Sequence, residues 1–291
     1  MLILILASIA VLAGLGLLFG LWLAASAARF GVEPDPKVTS ITEALPGANC
    51  GACGYPGCSA LASAIAKGNA PANACPVGGQ AVAQKIAKII GSGEVSVVEM
   101  VAVLKCNGGC ENALDKFIYT GIKDCRAAVL IGDGQKMCSY ACVGLGTCEA
   151  LCPFGAITMS PQMLPVIDFE KCTGCGICVK NCPKSVLELV PKKNMVYVAC
   201  NSLDKGAYVK KVCKVGCIAC NICQKNCPYD AIHVKNFLAK VEYDKCTMCG
   251  ICVEKCPTKI IMNRESGYPV PESARGKEMI LAQSSSEKAE S

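Results

Sequence analysis

Residues 172–183 read CTGCGICVKNCP and residues 246–257 read CTMCGICVEKCP, one cysteine phrase written twice in the same chain. Neighbouring thiols in CxxCxxC can hardly all pair at the Cα separations that a disulfide needs. Four thiolates this close are suited instead to holding metal. A structural zinc site draws its ligands from two pairs separated by a loop. CxxCxxCxxxCP concentrates them in one run, which fits a cube of iron and inorganic sulfide better. The odd total of 25 cysteines in 291 residues also favours metal ligation over a disulfide scaffold.

The phrase belongs to a longer repeat. Cys138, Cys142, Cys148 and Cys152 follow CxxxCx5CxxxCP, and Cys213, Cys217, Cys223 and Cys227 follow the same pattern in a second copy. CPFGAI at Cys152 is echoed by CPYDAI at Cys227, and VAVLKCN (101–107) by VYVACN (196–201). In the bacterial ferredoxin signature, three cysteines hold one [4Fe-4S] cube and the fourth, before proline, ligates the other cube of the pair. That rule predicts Cys172, Cys175 and Cys178 with Cys152, and Cys246, Cys249 and Cys252 with Cys227. It also predicts Cys217, Cys220 and Cys223 with Cys256. In the first unit Leu145 stands where a cysteine is expected, so Cys138 is expected to join Cys142, Cys148 and Cys182. In the second unit Cys213 and Cys220 both qualify as third ligand.

A separate group lies upstream. Cys50, Cys53, Cys58 and Cys75 form CxxCx4Cx16CP in a Gly-rich stretch, PGANCGACGYPGC, and glycine lets backbone amides approach inorganic sulfur. These predictions use twenty cysteines in five clusters. Cys106, Cys110, Cys125, Cys200 and Cys213 remain. The first three are candidates for a sixth cluster with one more ligand, or are buried free cysteines packing as small apolar residues.

The elements that position these groups follow from composition and punctuation. Residues 1–28 are uncharged and long enough to span a bilayer as a helix. Ala25-Ser26-Ala27 resembles a signal-peptide cleavage site, but the apolar run is longer than a signal core and no basic residue precedes it. Arg29 and Lys37 follow, so the positive-inside rule places the clusters on the cytoplasmic side of the inner membrane, below a single-pass anchor. That side is reducing, as thiolate ligands require. Glu33-Pro34-Asp35-Pro36 marks a linker, 29–45. A small cluster domain, 46–95, is expected to carry a helix in SALASAIAKG and another over Gln80–Ile90, stopped by Gly91. A connecting segment and first ferredoxin-like unit take 96–194, a second unit 195–264, and a polar tail 265–291. The fold class is α+β, with short antiparallel strands and small helices wrapped on cubes.

The formal charge is +6. Each oxidised cube with four thiolates carries about −2, so five contribute about −10, and much of the basicity offsets the clusters. Lys171, Lys180, Lys245 and Lys255 read as a solvated face beside the ligands, with a docking patch as the alternative. Neither a nucleotide fingerprint nor a Walker loop is present, and nothing points to nucleic acid. The lone His233 reads as a surface residue. No general base or nucleophile is evident, so the expected roles are those of ligands.

The uncharged N-terminal helix, the motif PGANCGACGYPGC ending in CPVGG, and the paired ferredoxin repeats together resemble the B subunit of the Rnf complex, a membrane-bound ion-translocating ferredoxin:NAD oxidoreductase. The likeness runs from Met1 to about Met262. It implies a chain that takes electrons from reduced ferredoxin and relays them through clusters to membrane subunits. Flavin and NAD chemistry and ion movement would then belong to partner subunits. Two alternatives are a membrane-tethered polyferredoxin serving another dehydrogenase or hydrogenase, and a scaffold whose clusters are mainly structural.

Overall fold

The computed structural model describes residues 2–30 and 35–264. The predicted tail, 265–291, and Glu33-Pro34 of the predicted linker lie outside the described residues.

Helix α1 (Leu2–Phe30) is rich in Leu, Ile and Ala, and Arg29 in its last turn complements the helix dipole. Its large side chains are exposed on every side, including Leu12 at 70% and Trp22 at 65%. A helix apolar all round needs an apolar environment, and Ile5–Arg29 is long and apolar enough to cross a membrane.

The expected linker 29–45 carries a helix, α2 (Pro36–Ala44). Pro36 at its first position is preorganised for helix, and Asp35 caps it by accepting the Lys37 backbone N–H at 2.9 Å. Proline therefore starts a helix here rather than only breaking one. Helix α2 packs with α3 (Cys58–Ala66) and α4 (Gly79–Ile90). Gly91 ends α4 in the left-handed conformation, φ 73°. Ile41, Leu61, Ile65 and Ile86 close the core between the three helices.

Beyond them the chain runs β1 (Met100–Leu104), α5 (Cys125–Val129), α6 (Thr147–Ala150), β2 (Ile157–Met159), β3 (Pro165–Ile167), α7 (Ile177–Lys180) and β4 (Leu187–Pro191). It then continues β5 (Val196–Val198), α8 (Gly206–Val212), α9 (Ile222–Lys225), β6 (Ile232–Lys235), β7 (Leu238–Val241), α10 (Ile251–Lys255) and β8 (Ile261–Asn263). Pairing is antiparallel throughout. Strand β1 pairs with β4 (Met100↔Pro191 to Leu104↔Leu187) and β2 with β3. The second half repeats the scheme, β5 with β8 and β6 with β7. Asn236 and Phe237 turn the β6–β7 hairpin, both at positive φ (51° and 61°), as the tight two-residue loop demands.

The β1–β4 ribbon joins the two halves. Side chains alternate along a strand. Val101 and Val103 pack with Val196, Val198, Ile232 and Leu238, whereas Ala102 and Leu104 pack with Ile157, Leu164, Ile167 and Leu187. Strand β1 is therefore buried on both faces, which accounts for the nearly unbroken apolar run MVAVL. Phe169 packs against both cores, and the Arg264 guanidinium lies 4.8 Å from its ring centre.

Candidate metal centres

In the N-terminal group, Cys50 and Cys53 lie in the loop between α2 and α3, Cys58 opens α3, and Cys75 lies between α3 and α4. Cys50, Cys53, Cys58 and Cys75 line one cavity of about 320 Å³. The Asn49 side-chain oxygen accepts the Cys58 backbone N–H at 2.8 Å, fixing the loop to the start of α3. Gly57 closes that turn at φ 156°, and a Cβ there would lie 3.1 Å from the same oxygen. Burial pushes the Cys75 thiol up.

In the first repeat, Cys152, Cys172, Cys175 and Cys178 come together. Burial pushes the Cys178 thiol up to about 12, and the adjacent Cys175, Cys172, Cys148 and Cys152 add to the shift. Backbone amides already point at these sulfurs: Ala102 N–H donates to Cys172 Sγ at 3.4 Å, and Ala156 N–H to Cys152 Sγ at 3.4 Å. Gly174 makes the loop possible. Its φ is +64°, and a Cβ there would overlap the Met100 carbonyl oxygen of β1. The loop also adjoins the N-terminal group, since Cys50 is among the charges that raise Cys175, after burial, and Lys180 Nζ donates to the Ala52 carbonyl at 3.4 Å.

The second group of this repeat departs from the expected set. Cys142, Cys148 and Cys182 are joined by Cys125, not by Cys138. Burial pushes Cys148 up to about 12, with Cys125 and Cys182 the neighbouring thiols that add to it. Cys142 is raised by burial too, with Cys106 and then Cys148 and Cys125 adding to it. Helix α5 delivers Cys125: Asp124 caps the helix by accepting from Arg126 and Ala127, and the Cys125 N–H donates to Thr147 Oγ1 at 2.7 Å, immediately before Cys148. A cysteine far upstream of Leu145 thus reaches the group that Leu145 cannot complete.

The second repeat brings together Cys217, Cys220, Cys223 and Cys256. Burial raises Cys223 to about 11, and the other three thiols add to it. Cys227, Cys246, Cys249 and Cys252 line a cavity of about 370 Å³. Burial raises Cys252 to about 11, with Cys246, Cys249 and Cys227 adding to it. Ala231 N–H donates to Cys227 Sγ at 3.3 Å, the counterpart of the Ala156–Cys152 bond. Of the two candidates left open, Cys220 is beside Cys217 and Cys223, and Cys213 is elsewhere.

Cys213 lines a further cavity of about 350 Å³ together with Cys106, Cys138 and Cys200. The loose trio Cys106, Cys110 and Cys125 is not brought together. Cys110 is exposed, with its Sγ 3.9 Å from the Pro161 carbonyl. The repeat held a signal for the regrouping, because Cys106 and Cys200 follow the echoed strands and Cys138 and Cys213 open the two copies of the repeated CxxxC. No such echo marks Cys125. His233 sits between Asp230 and Glu242 carboxylates at 3.7 and 3.4 Å, away from the thiols.

These donor sets fit polynuclear clusters. Among the described residues no three His, Cys, Asp or Glu side chains converge on a point that would hold a single ion. Instead, thiols line pockets with almost wholly apolar walls, and backbone N–H groups face sulfur. A thiol raised by burial ionises more readily beside positive charge, which a metal held by these cysteines would supply.

Comparison with known proteins agrees with this chemistry. Residues 45–77 match a family described as an Fe-S cluster, and residues 141–187 and 216–261 each match a 4Fe-4S dicluster domain. A second 4Fe-4S dicluster family spans residues 171–232. The chain is 50% identical over 241 residues to the B subunit of the Na(+)-translocating ferredoxin:NAD(+) oxidoreductase complex of Acetobacterium woodii, covering 83% of this chain and 72% of that protein. It is 42% identical over 238 residues to the B subunit of the ion-translocating oxidoreductase complex of Methanosarcina acetivorans, covering 82% and 90%. To the B subunit of the proton-translocating ferredoxin:NAD(+) oxidoreductase complex of Clostridium ljungdahlii it is 45% identical over 229 residues, covering 78% and 81%. With such identity sustained across most of both partners, the chain belongs to the family of B subunits of the Rnf-type ion-translocating oxidoreductase complexes.

Proposed function

We propose that this chain is the iron–sulfur electron-transfer subunit of an ion-translocating ferredoxin:NAD oxidoreductase, accepting electrons from reduced ferredoxin and relaying them to membrane subunits. The observation that carries the reading is the adjacency of its four-cysteine groups: the Cys175 loop is tied to the N-terminal group by Lys180 Nζ donating to the Ala52 carbonyl, and Cys178 is within electrostatic reach of Cys148. A [4Fe-4S] cube supplies reversible one-electron transfer when bound. Cys50, Cys53, Cys58 and Cys75 would hold one in the N-terminal domain. Two tandem ferredoxin-like units would hold the others, on Cys152/Cys172/Cys175/Cys178, Cys125/Cys142/Cys148/Cys182, Cys217/Cys220/Cys223/Cys256 and Cys227/Cys246/Cys249/Cys252.

The remaining residues orient and insulate. Amides of Ala102, Ala156 and Ala231 donate to ligand sulfur, which favours added negative charge at the group. Valine and isoleucine of the two cores keep water from it. Helix α1 anchors the chain, and Arg29 with Lys37 supports a cytoplasmic location for the clusters. Flavin and NAD chemistry and ion movement belong to partner subunits in this reading.

The test is EPR of the anaerobically purified chain before and after mixing with reduced ferredoxin, alongside iron and acid-labile sulfide analysis. Rapid appearance of reduced-cluster signals is expected. Iron that ferredoxin leaves oxidised, or zinc in place of iron, overturns the proposal.

A further inference from the structure

We infer that Cys106, Cys138, Cys200 and Cys213 hold an additional [4Fe-4S] cluster in the seam between the two repeats. The inference deepens the electron-transfer reading and rests on it. Each repeat contributes two ligands in equivalent places. Cys106 follows β1 and Cys200 follows β5, the echoed strands, while Cys138 and Cys213 each stand at the head of the repeated CxxxC. A duplicated unit facing its copy builds such a two-plus-two site without any new motif. Neither repeat holds it alone.

Three observations point to a ligand there rather than to four packed free cysteines. First, all four line the same pocket. Second, each repeat aims the same amide at the site: Cys142 N–H donates to Cys106 Sγ at 3.3 Å, and Cys217 N–H donates to Cys200 Sγ at 3.3 Å. The bonds are equivalent under the repeat and match the N–H to sulfur contacts of the other groups. Third, a glycine lies against the sulfurs. A Cβ on Gly108 would be crowded by Ala113 Cβ at 3.1 Å and would touch Cys213 Sγ and Cys106 Sγ at 3.4 and 3.6 Å.

The placement has a consequence for the relay. Cys142 belongs to the Cys125/Cys142/Cys148/Cys182 group and Cys217 to the Cys217/Cys220/Cys223/Cys256 group. Each donates its backbone N–H to a ligand of the seam site. That site therefore lies between the two repeats' inner groups and gives electrons a stop where they pass from one repeat to the other. Six groups of four account for every cysteine except Cys110.

Native mass spectrometry of the anaerobically purified full chain counts whole clusters without a variant. Six are expected, with about 24 iron and 24 sulfide by chemical analysis. The double variant Cys106→Ala/Cys200→Ala should lose one cluster, about 4 iron, and keep the reduced EPR signals of the rest, while Cys110→Ala should keep all six. Five clusters in the unmodified chain, with Cys106, Cys138, Cys200 and Cys213 alkylated as free thiols, overturn this inference alone. Loss of a cluster in Cys110→Ala overturns the ligand set. If the double variant fails to accumulate, the count in the unmodified chain decides. A chain without iron overturns the electron-transfer reading together with this one.

Discussion

Cys125 shows how a single proposed ligand depends on its surroundings. Its thiol reaches Cys142, Cys148 and Cys182 because Asp124 starts α5 and Thr147 accepts the Cys125 N–H. Cys125→Ala is expected to cost one cluster, about 4 iron per chain, whereas Leu145→Cys is expected to leave the count unchanged. Iron and sulfide analysis of both variants checks this. Gly174 is a second single-residue constraint. Alanine there combines a left-handed backbone with a Cβ overlapping the Met100 carbonyl, so Gly174→Ala should destabilise by more than the about 1–3 kcal/mol of an isolated strained residue. A lowered denaturation midpoint of the loaded protein would register it.

At the scale of elements, β1 matters most. Two-stranded ribbons are marginal alone, yet this one buries Val101 and Val103 toward one repeat and Ala102 and Leu104 toward the other. Leu104 is fully buried. Leu104→Ala is therefore expected to cost about 2–5 kcal/mol, partly as cavity. Because the ribbon serves both cores, guanidinium unfolding should show the signals of both repeats shifting together. Independent transitions would mean that the seam does not couple them. The helix before Gly91 and that in SALASAIAKG were legible in the sequence, whereas VAVLKCN was legible as an echoed segment and not as a strand. Helix α2 was not legible, because Pro36 signals a break and a helix start alike, and only its Asp35 cap distinguishes them.

For the whole molecule, the strands of the repeats are three to five residues long and the sheets two-stranded. Such elements bury too little apolar surface to stand without their ligands. Removing iron with a chelator should therefore abolish most of the far-UV circular dichroism of the repeats, because metal binding is coupled to folding. The α2–α4 domain, with its own core of Ile41, Leu61, Ile65 and Ile86, should keep more of its helix. Deleting residues 1–30 should move the protein from the membrane fraction to the soluble one with iron per chain unchanged, since α1 exposes its apolar side chains on all sides and is long enough to span.

Spacing alone determined what is local. Thiols in CxxC spacing on one loop are held close whatever the rest of the chain does, so the CxxCxxC phrases, the apolar span and the resemblance to Rnf B subunits could all be read directly. Completion of a site by a distant residue is different, because it depends on where folding carries two segments that sequence order leaves far apart. Only the tertiary structure decided that Cys125 stands beside Cys142, that Cys138 leaves that group, and that Cys106 and Cys138 face Cys200 and Cys213. The physical reason is the burial of β1 on both faces, which presses one copy of the repeat against the other.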